Sequence, residues 1–487
     1  MSRRRLFLGT AIVALLSAPV QADTLRDALE AAYQTNPTLS GARAAQRATD
    51  ETVAIAKADG RPNATTDFGF QENFLRSANS FTAPLRQSTA GGSVEVPIYS
   101  GGAVKNAIRA ARTRVEAGQY DLRATEASLF SNVVATYMDV IRDTAIVKLN
   151  RANVGVLTVN LEATSDRFEI GDLTRTDVAQ SESRLEVAKG DLETVRASLI
   201  RSKENYIALV GHEPGDLEPP PPLPNMPETP DQAVDLALSY NPDLLAAKER
   251  SDAAEFDIKS ARAGNKPKVS TYAQGRYLNY HGTLGGNVPG SVFIQEQSTA
   301  EVGVRASMPI YQGGRPAAQI RQAQARSGQA YEQLIAVERD VIAQTRAAYS
   351  SWRAAERVIQ SSERAVAAAS LSLEGVRAEN SVGNRTILDI LNAEQELLNA
   401  QVQLVTARRN SYVAGFSLLA AMGRAEARDL GLEGGPLYDP DLNYERVDDM
   451  FYDYQSDPDP EPQATRTVDT PAQKAEIEPL PATPARQ

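Results

Sequence analysis

The chain has 487 residues, with 51 Lys and Arg against 62 Asp and Glu for a net charge of −11, two histidines and no cysteine. That composition excludes disulfides, thiolate metal sites, cysteine nucleophiles and a lipid-modified N-terminal cysteine, and with His212 and His281 each isolated it offers no imidazole cluster for metal binding or acid–base chemistry. No basic patch with interleaved aromatics occurs, so nucleic acid is not an expected partner.

Residues 1–22 carry the pattern of a signal peptide: Arg3, Arg4 and Arg5, an apolar stretch from Leu6 to Leu16, and a small-residue cleavage site at Val20-Gln21-Ala22. About eleven apolar residues are too few to span a bilayer, which takes roughly 20. The mature chain is expected to start at Asp23. No later run offers eighteen apolar residues, so an exported chain of this kind is either soluble or crosses a membrane as a β-barrel.

Residues 23–217 read as one unit. A short helix from Leu25 to Thr35 stops at Asn36-Pro37, an N-cap followed by proline at the first helical position, so a second helix starts at once and runs to about Asp59. Pro62 forbids its continuation. Phe68 and Phe70 then alternate with Asp67, Gly69 and Gln71, and Val94, Val96 and Ile98 with Ser93, Glu95 and Pro97. Segments of about ten residues with one apolar face, joined by Gly- and Ser-rich loops, fit outer-membrane strands. The turn Pro97-Ile98-Tyr99-x-Gly101-Gly102 leads into a very long helical stretch, Ala103 to about Ile170, in which Leu129, Val133, Val140 and Val147 trace one stripe. Gly171 breaks this helix, and a return helix runs to Gly211.

A Pro-rich linker over 218–230 follows, and 231–430 repeat the unit. Asn36, Pro37, Leu39, Ala56 and Pro62 recur as Asn241, Pro242, Leu244, Ala261 and Pro267 at an offset of 205. Pro97, Ile98, Tyr99, Gly101 and Gly102 recur as Pro309, Ile310, Tyr311, Gly313 and Gly314 at an offset of 212, which holds through Tyr137/Tyr349, Gly171/Gly383 and Gly211/Gly423. Val302, Val304, Ala306, Met308 and Ile310 alternate with Glu301, Gly303, Arg305 and Ser307, predicting a last strand with Glu301 and Arg305 toward water and the apolar set toward lipid. Tyr272, Tyr277, Phe293 and Phe74 are candidates for interfacial girdles. The second long helix is expected from Ala317 to about Val382. Residues 431–487 read as an acidic, Pro-rich disordered tail, since from Asp439 onward twelve acidic residues stand against four basic ones.

A descending helix of about 68 residues is about 100 Å long, and a return helix of about 40 residues only about 60 Å. The helix starting at Pro242 makes up the difference. The expected packing is one long helix beside two short ones stacked end to end, the first unit's return helix meeting the Pro242 helix of the second.

The blocks Ala28-Leu29 through Asn36-Pro37-x-Leu39, the two Pro-Ile-Tyr-x-Gly-Gly turns and the tips Gly171-Asp172-Leu173-Thr174-Arg175-Thr176-Asp177 and Gly383-Asn384-Arg385-Thr386-Ile387-Leu388-Asp389 resemble TolC-type outer-membrane efflux and type I secretion proteins, from about Thr24 to Gly423. The resemblance implies a membrane β-barrel plus a long α-helical coiled-coil barrel, built as a homotrimer in which each chain gives four strands to a 12-stranded barrel and long helices to a periplasmic α-helical tunnel. Physical reasoning agrees: four strands cannot close a barrel, and open edges do not survive in lipid. The resemblance further implies a passive channel in the cell outer membrane with a large periplasmic portion, neither an enzyme nor a cofactor or metal protein. Its partners would be a periplasmic adaptor (membrane fusion) protein and an inner-membrane ABC or proton-driven transporter.

By the same resemblance, Arg385 and Asp177 match the bonding partners that close the periplasmic aperture, Asp389 matches an acidic ring, and Gly171, Leu173, Val382 and Gly383 match the adaptor-docking tips. Asn380 stands where tyrosine is common and Asn392 where a second aspartate is common, implying a less tightly latched, less cation-selective aperture. The residues alone leave a plainer role open: Thr174-x-x-Asp177 and Thr386-x-x-Asp389 are also capping boxes, preceded by Gly171 and Gly383 at helix ends. The Asn-Pro helix starts resemble the type I secretion branch, which makes protein export the first expectation and multidrug or small-molecule efflux the alternative. A soluble periplasmic coiled-coil scaffold would explain the helices but not the hairpins.

Overall fold

The computed structural model describes residues 23–75, 83–285, 293–432 and 437–475; the signal peptide expected over 1–22 lies outside them. Each repeat contributes two helices, a β-hairpin and a long helical hairpin: α1 (Leu25–Thr35), α2 (Pro37–Ala58), β1 (Asn63–Glu72), β2 (Arg86–Tyr99), α3 (Ala103–Glu169) and α4 (Arg175–Val210), then α5 (Pro230–Tyr240), α6 (Pro242–Ala261), β3 (Lys268–Asn279), β4 (Glu296–Ser307), α7 (Arg315–Ser381) and α8 (Ile387–Ala421). A final helix, α9, covers Pro440–Asp448.

The four strands form one antiparallel sheet in the order β1-β2-β3-β4. Its register sorts the side chains by face. Ala64, Val94, Ala273 and Val302 stand in one cross-strand row, and Phe68, Ala90, Tyr277 and Ser298 in another on the same side. The opposite side carries the rows Thr65-Ser93-Gln274-Glu301 and Asp67-Gly91-Arg276-Thr299. One face is thus apolar and the other charged, as the alternation predicts. Tyr272 departs from its girdle assignment: it lies on the polar side opposite Glu95 and Gly303, with the Arg305 guanidinium 4.9 Å from its ring centroid. Met308 and Ile310 also depart, lying beyond the end of β4. β3 begins at Lys268, which pairs with Ser307, so residues past Ser307 have no ladder to join.

Gly101 (φ +69°) and Gly102 (φ +91°) make the first strand-to-helix turn, and Gly313 (φ +62°) and Gly314 (φ +82°) the second. A Cβ on Gly101 would sit 2.7 Å from the Lys266 Cβ, so that position requires glycine for space as well as for φ. α3 and α7 then run 67 residues each, about 100 Å. The predicted stripe Leu129, Val133, Val140 and Val147 is buried. It belongs to the main core at mid-height, where Phe130, Tyr137, Tyr206, Phe416, Leu418, Leu419 and Met422 pack with Leu25, Ala28, Leu29 and Ala32 of α1. The Tyr137 hydroxyl lies 2.9 Å and 2.7 Å from the carbonyl oxygens of Asp23 and Glu218, and its counterpart Tyr349 donates to Glu228 O at 2.6 Å. Each repeat therefore fastens the connecting chain to its long helix with the same tyrosine.

The stacking differs from the expectation. Asn36 caps α2 by accepting from Thr38 N, and its amide donates to Leu209 O, 2.9 Å away in the last turn of α4. Asn241 caps α6 by accepting from Leu244 N and donates to Ala421 O of α8 at 3.0 Å. Each short upper helix thus stands on the return helix of its own repeat. The capping amide carries both a free N–H donor and a carbonyl acceptor, so one residue satisfies an orphan N–H above and an orphan carbonyl below.

The tail differs from the expectation over its described residues, 437–475; residues 433–436 and 476–487 lie outside them. α9 packs against α2, with Val447 buried and Tyr444 against Val53, Ala111 and Val115. Its acidic groups meet a basic face: Lys57 Nζ lies 2.6 Å from Asp448, Arg112 lies 3.7 Å from the same carboxylate, and Arg61 donates to Met450 O. Farther along, Gln473 N donates to Glu204 of α4 at 3.0 Å. The excess of carboxylates that suggested disorder is neutralised in part by repeat 1.

Candidate functional site

The lower ends of the helical hairpins are turns of one design. Gly171 and Gly383, both at φ +83°, end α3 and α7. The closing bonds are Gly171 N to Phe168 O and Asp172 N to Arg167 O in the first, and Gly383 N to Asn380 O and Asn384 N to Glu379 O in the second. Thr174 and Thr386 then open α4 and α8 with complete capping boxes. Thr386 N donates to Asp389 Oδ2 at 3.0 Å and Asp389 N to Thr386 Oγ1 at 3.3 Å; Thr174 and Asp177 repeat the pattern at 2.9 and 3.3 Å.

These bonds stabilise the ionised carboxylate. Asp389 is held below the usual carboxylate range by the Thr386 backbone N–H and hydroxyl, and Asp177 by the Thr174 hydroxyl and backbone N–H. Each tip therefore presents a fixed negative charge at the start of a return helix, where the helix dipole also favours it.

Arg385, Asn380 and Asp389 share the second tip, while among the described residues no bond joins Arg385 to Asp177 of the first. Arg385 Nε donates to Glu379 of α7 at 2.7 Å, and Asn380 Nδ2 donates to Arg385 O at 2.7 Å, so both are used in closing their own turn. The first tip closes with an ion pair of its own, Arg167 Nε to Asp172 at 2.8 Å, in which the helix residue is the basic one. Asn392 accepts from Arg184 Nη2 of α4 at 2.8 Å, a bond between the two hairpins. Val382 is 71% exposed, and its counterpart Ile170 is 81% exposed. Ile170 went unnoticed in the sequence, although the offset of 212 from Val382 points to it. Leu173 is half-buried, and Gly171 and Gly383 are exposed.

Farther up the hairpins, Glu394 of α8 is 6% exposed and bonded to both neighbouring helices. Asn160 Nδ2 of α3 lies 3.0 Å from each of its oxygens, and Arg377 Nη2 of α7 lies 2.9 Å from Oε1. No motif announces this residue.

A sheet with one apolar and one polar face, continuous with helices of about 100 Å, defines a membrane duct with a long helical extension. Comparison with known proteins agrees. The outer membrane efflux protein family matches residues 28–212 and 233–424, which correspond to the two repeats. The outer membrane efflux protein BepC of Brucella suis biovar 1 (strain 1330) is 34% identical over 88% of this chain and 91% of its own. The alkaline protease secretion protein AprF of Pseudomonas aeruginosa is 27% identical over 64% of each chain. Among solved structures, the outer membrane protein VceC of Vibrio cholerae superposes with a TM-score of 0.70 at 23% identity, covering 82% of this chain and 96% of its own, a likeness of fold.

The chain belongs to the outer membrane efflux protein family. It is an outer-membrane export channel of the TolC type, not an enzyme, with a trimeric barrel and a periplasmic helical tunnel.

Proposed function

We propose that this channel is the exit duct of a type I secretion system, with its periplasmic aperture at the two hairpin tips. The observation that carries the aperture reading is the pair of capping boxes, which fix Asp177 and Asp389 as ionised carboxylates at equivalent points of both repeats. Three chains then give two acidic rings. Arg385 lies beside Asp389 and moderates the second ring, and Asn392, neutral and bonded to Arg184, adds no charge. The exposed Ile170 and Val382, with Leu173, Gly171 and Gly383, form the surface for the helical hairpins of a periplasmic adaptor, which in turn joins an inner-membrane ABC transporter.

Likeness to AprF, a protease secretion protein, supports a polypeptide cargo. Small-molecule efflux through the same duct, with a proton-driven or ABC pump, is the second reading, favoured by the higher identity to BepC, an efflux protein. Deleting the gene and restoring it separates them. Loss of one or more secreted polypeptides from the medium, with unchanged tolerance of dyes and detergents, supports type I secretion. The opposite pattern overturns it in favour of efflux.

A further inference from the structure

We propose that Glu394 is a positioning residue of the aperture, a buried latch by which each protomer holds its second helical hairpin against its first. The inference rests on the channel reading and adds to it the element that restrains opening.

Arg385 and Asn380 spend their polar groups within their own turn, on Glu379 and on Arg385 O, and the bond from Arg184 to Asn392 between the hairpins is exposed, whereas Glu394 is buried. Glu394 lies about 12 Å up α8 from its cap Thr386, counting eight residues at a rise of 1.5 Å. There it is enclosed between two small apolar clusters. Leu157, Leu185, Ala188 and Leu391 join α3, α4 and α8 on one side, and Leu373, Ile390 and Ala393 join α7 and α8 on the other. Asn160 and Arg377 supply its donors from α3 and α7. A buried carboxylate needs all its donors, because losing one leaves an oxygen unsatisfied away from water. Moving the α7–α8 hairpin away from α3 breaks both Asn160 contacts and leaves the carboxylate with Arg377 alone, its partner on the same hairpin.

The internal repeat supplies a control. At the offset of 212, Glu394 corresponds to Glu182, Arg377 to Ser165 and Asn160 to Ser372. The carboxylate recurs but both donors are replaced by serine, and Glu182 is exposed in the chain. By repeat symmetry, the equivalent place is the seam between α4 of one protomer and α7 of the next. The latch is one-sided: it ties hairpins within a protomer and has no equivalent across the seam.

The test is ionic conductance of purified trimers in planar bilayers. Glu394→Ala and Asn160→Ala, which remove the bond from α8 to α3, are expected to raise the conductance of the resting channel severalfold, and Glu182→Ala to leave it at the wild-type level. Because the chain has no cysteine, Asn160→Cys with Glu394→Cys gives a second measurement that does not depend on the alanine variant folding well. This trimer should leak when reduced and close when a short bifunctional thiol reagent bridges the pair. Wild-type conductance in intact Glu394→Ala trimers, or a double-cysteine trimer that conducts equally with and without the bridge, overturns the latch while leaving the duct intact. A wild-type trimer that carries no current under any condition overturns the duct and the latch together.

Discussion

Asp389 has two jobs to separate, and the residues around it allow that. Its carboxylate caps α8 through Thr386 and also supplies the charge at the tip. Asp389→Ala removes both, so the channel should lose part of its preference for cations, measured as a shift in reversal potential across a salt gradient. Thr386→Ala removes the hydroxyl half of the cap and keeps the charge. It should cost about 1 kcal/mol of tip stability and leave selectivity unchanged. If selectivity stays at the wild-type value in Asp389→Ala while thermal stability falls, the residue is a cap alone. The pH dependence follows from sign. Asp389 and Asp177 have folded-state pKa values depressed by their caps, so their contribution is complete above the usual carboxylate range and is lost only as pH falls through the depressed values. The tips should stay capped in mild acid. Glu126 runs the other way: burial raises its pKa, with Ala427 N as its bonded donor. Its ionisation disfavours the fold as pH rises through its folded value, so Glu126→Gln should be more stable than wild type near pH 7 and equal to it in acid, as read by thermal melting.

At the scale of elements, the asparagines at the helix stacks are the most economical joints in the molecule. Asn36→Ala and Asn241→Ala each lose an N-cap and a bond to the helix below, and each should cost about 1–2 kcal/mol, seen as a lower dissociation temperature. Most elements were legible in the sequence because their signals are local: proline at the first helical turn, glycine at φ > 0, alternation in the strands. Which helix stands on which was not. Length arithmetic permits the α4–α6 stack as well as the α4–α2 stack, and the bonds from Asn36 to Leu209 O and from Asn241 to Ala421 O distinguish them. Two further features escaped for related reasons. The composition of the tail describes α9 in isolation, whereas Lys57, Arg61 and Arg112, more than 300 positions earlier, decide its fate. Tyr272 followed strand composition into a girdle, but the register puts it with Arg305 on the polar face. At the tips, the capping boxes were readable as spacing, while Glu394 depends on helices that meet only in three dimensions.

At the scale of the whole molecule, the sheet is a third of a closed object. Among the described residues β1 pairs only with β2 and β4 only with β3, leaving two ladder edges unpaired, and the sheet's apolar rows are bare in a single chain, with Val302 81% exposed. An unpaired edge in hydrocarbon leaves each backbone group several kcal/mol short of its hydrogen bond. The duplication makes the remedy a matter of repetition, because a hairpin equivalent to β3–β4 lies beside every β1–β2 when three chains meet. Detergent extracts of the outer membrane should therefore contain a trimer that withstands mild denaturant when cold and falls to monomers on heating. Placing a charge on the lipid face tests the facing directly: Val302→Arg should cost about 2–4 kcal/mol if it lies near the bilayer midplane and reduce the heat-sensitive trimer. Gln274→Arg, on the polar face of the neighbouring strand, should assemble normally. Equal loss from both substitutions would mean that the two faces are not divided between lipid and water. A monomer recovered without detergent would remove the barrel altogether, since the helices alone do not need a membrane.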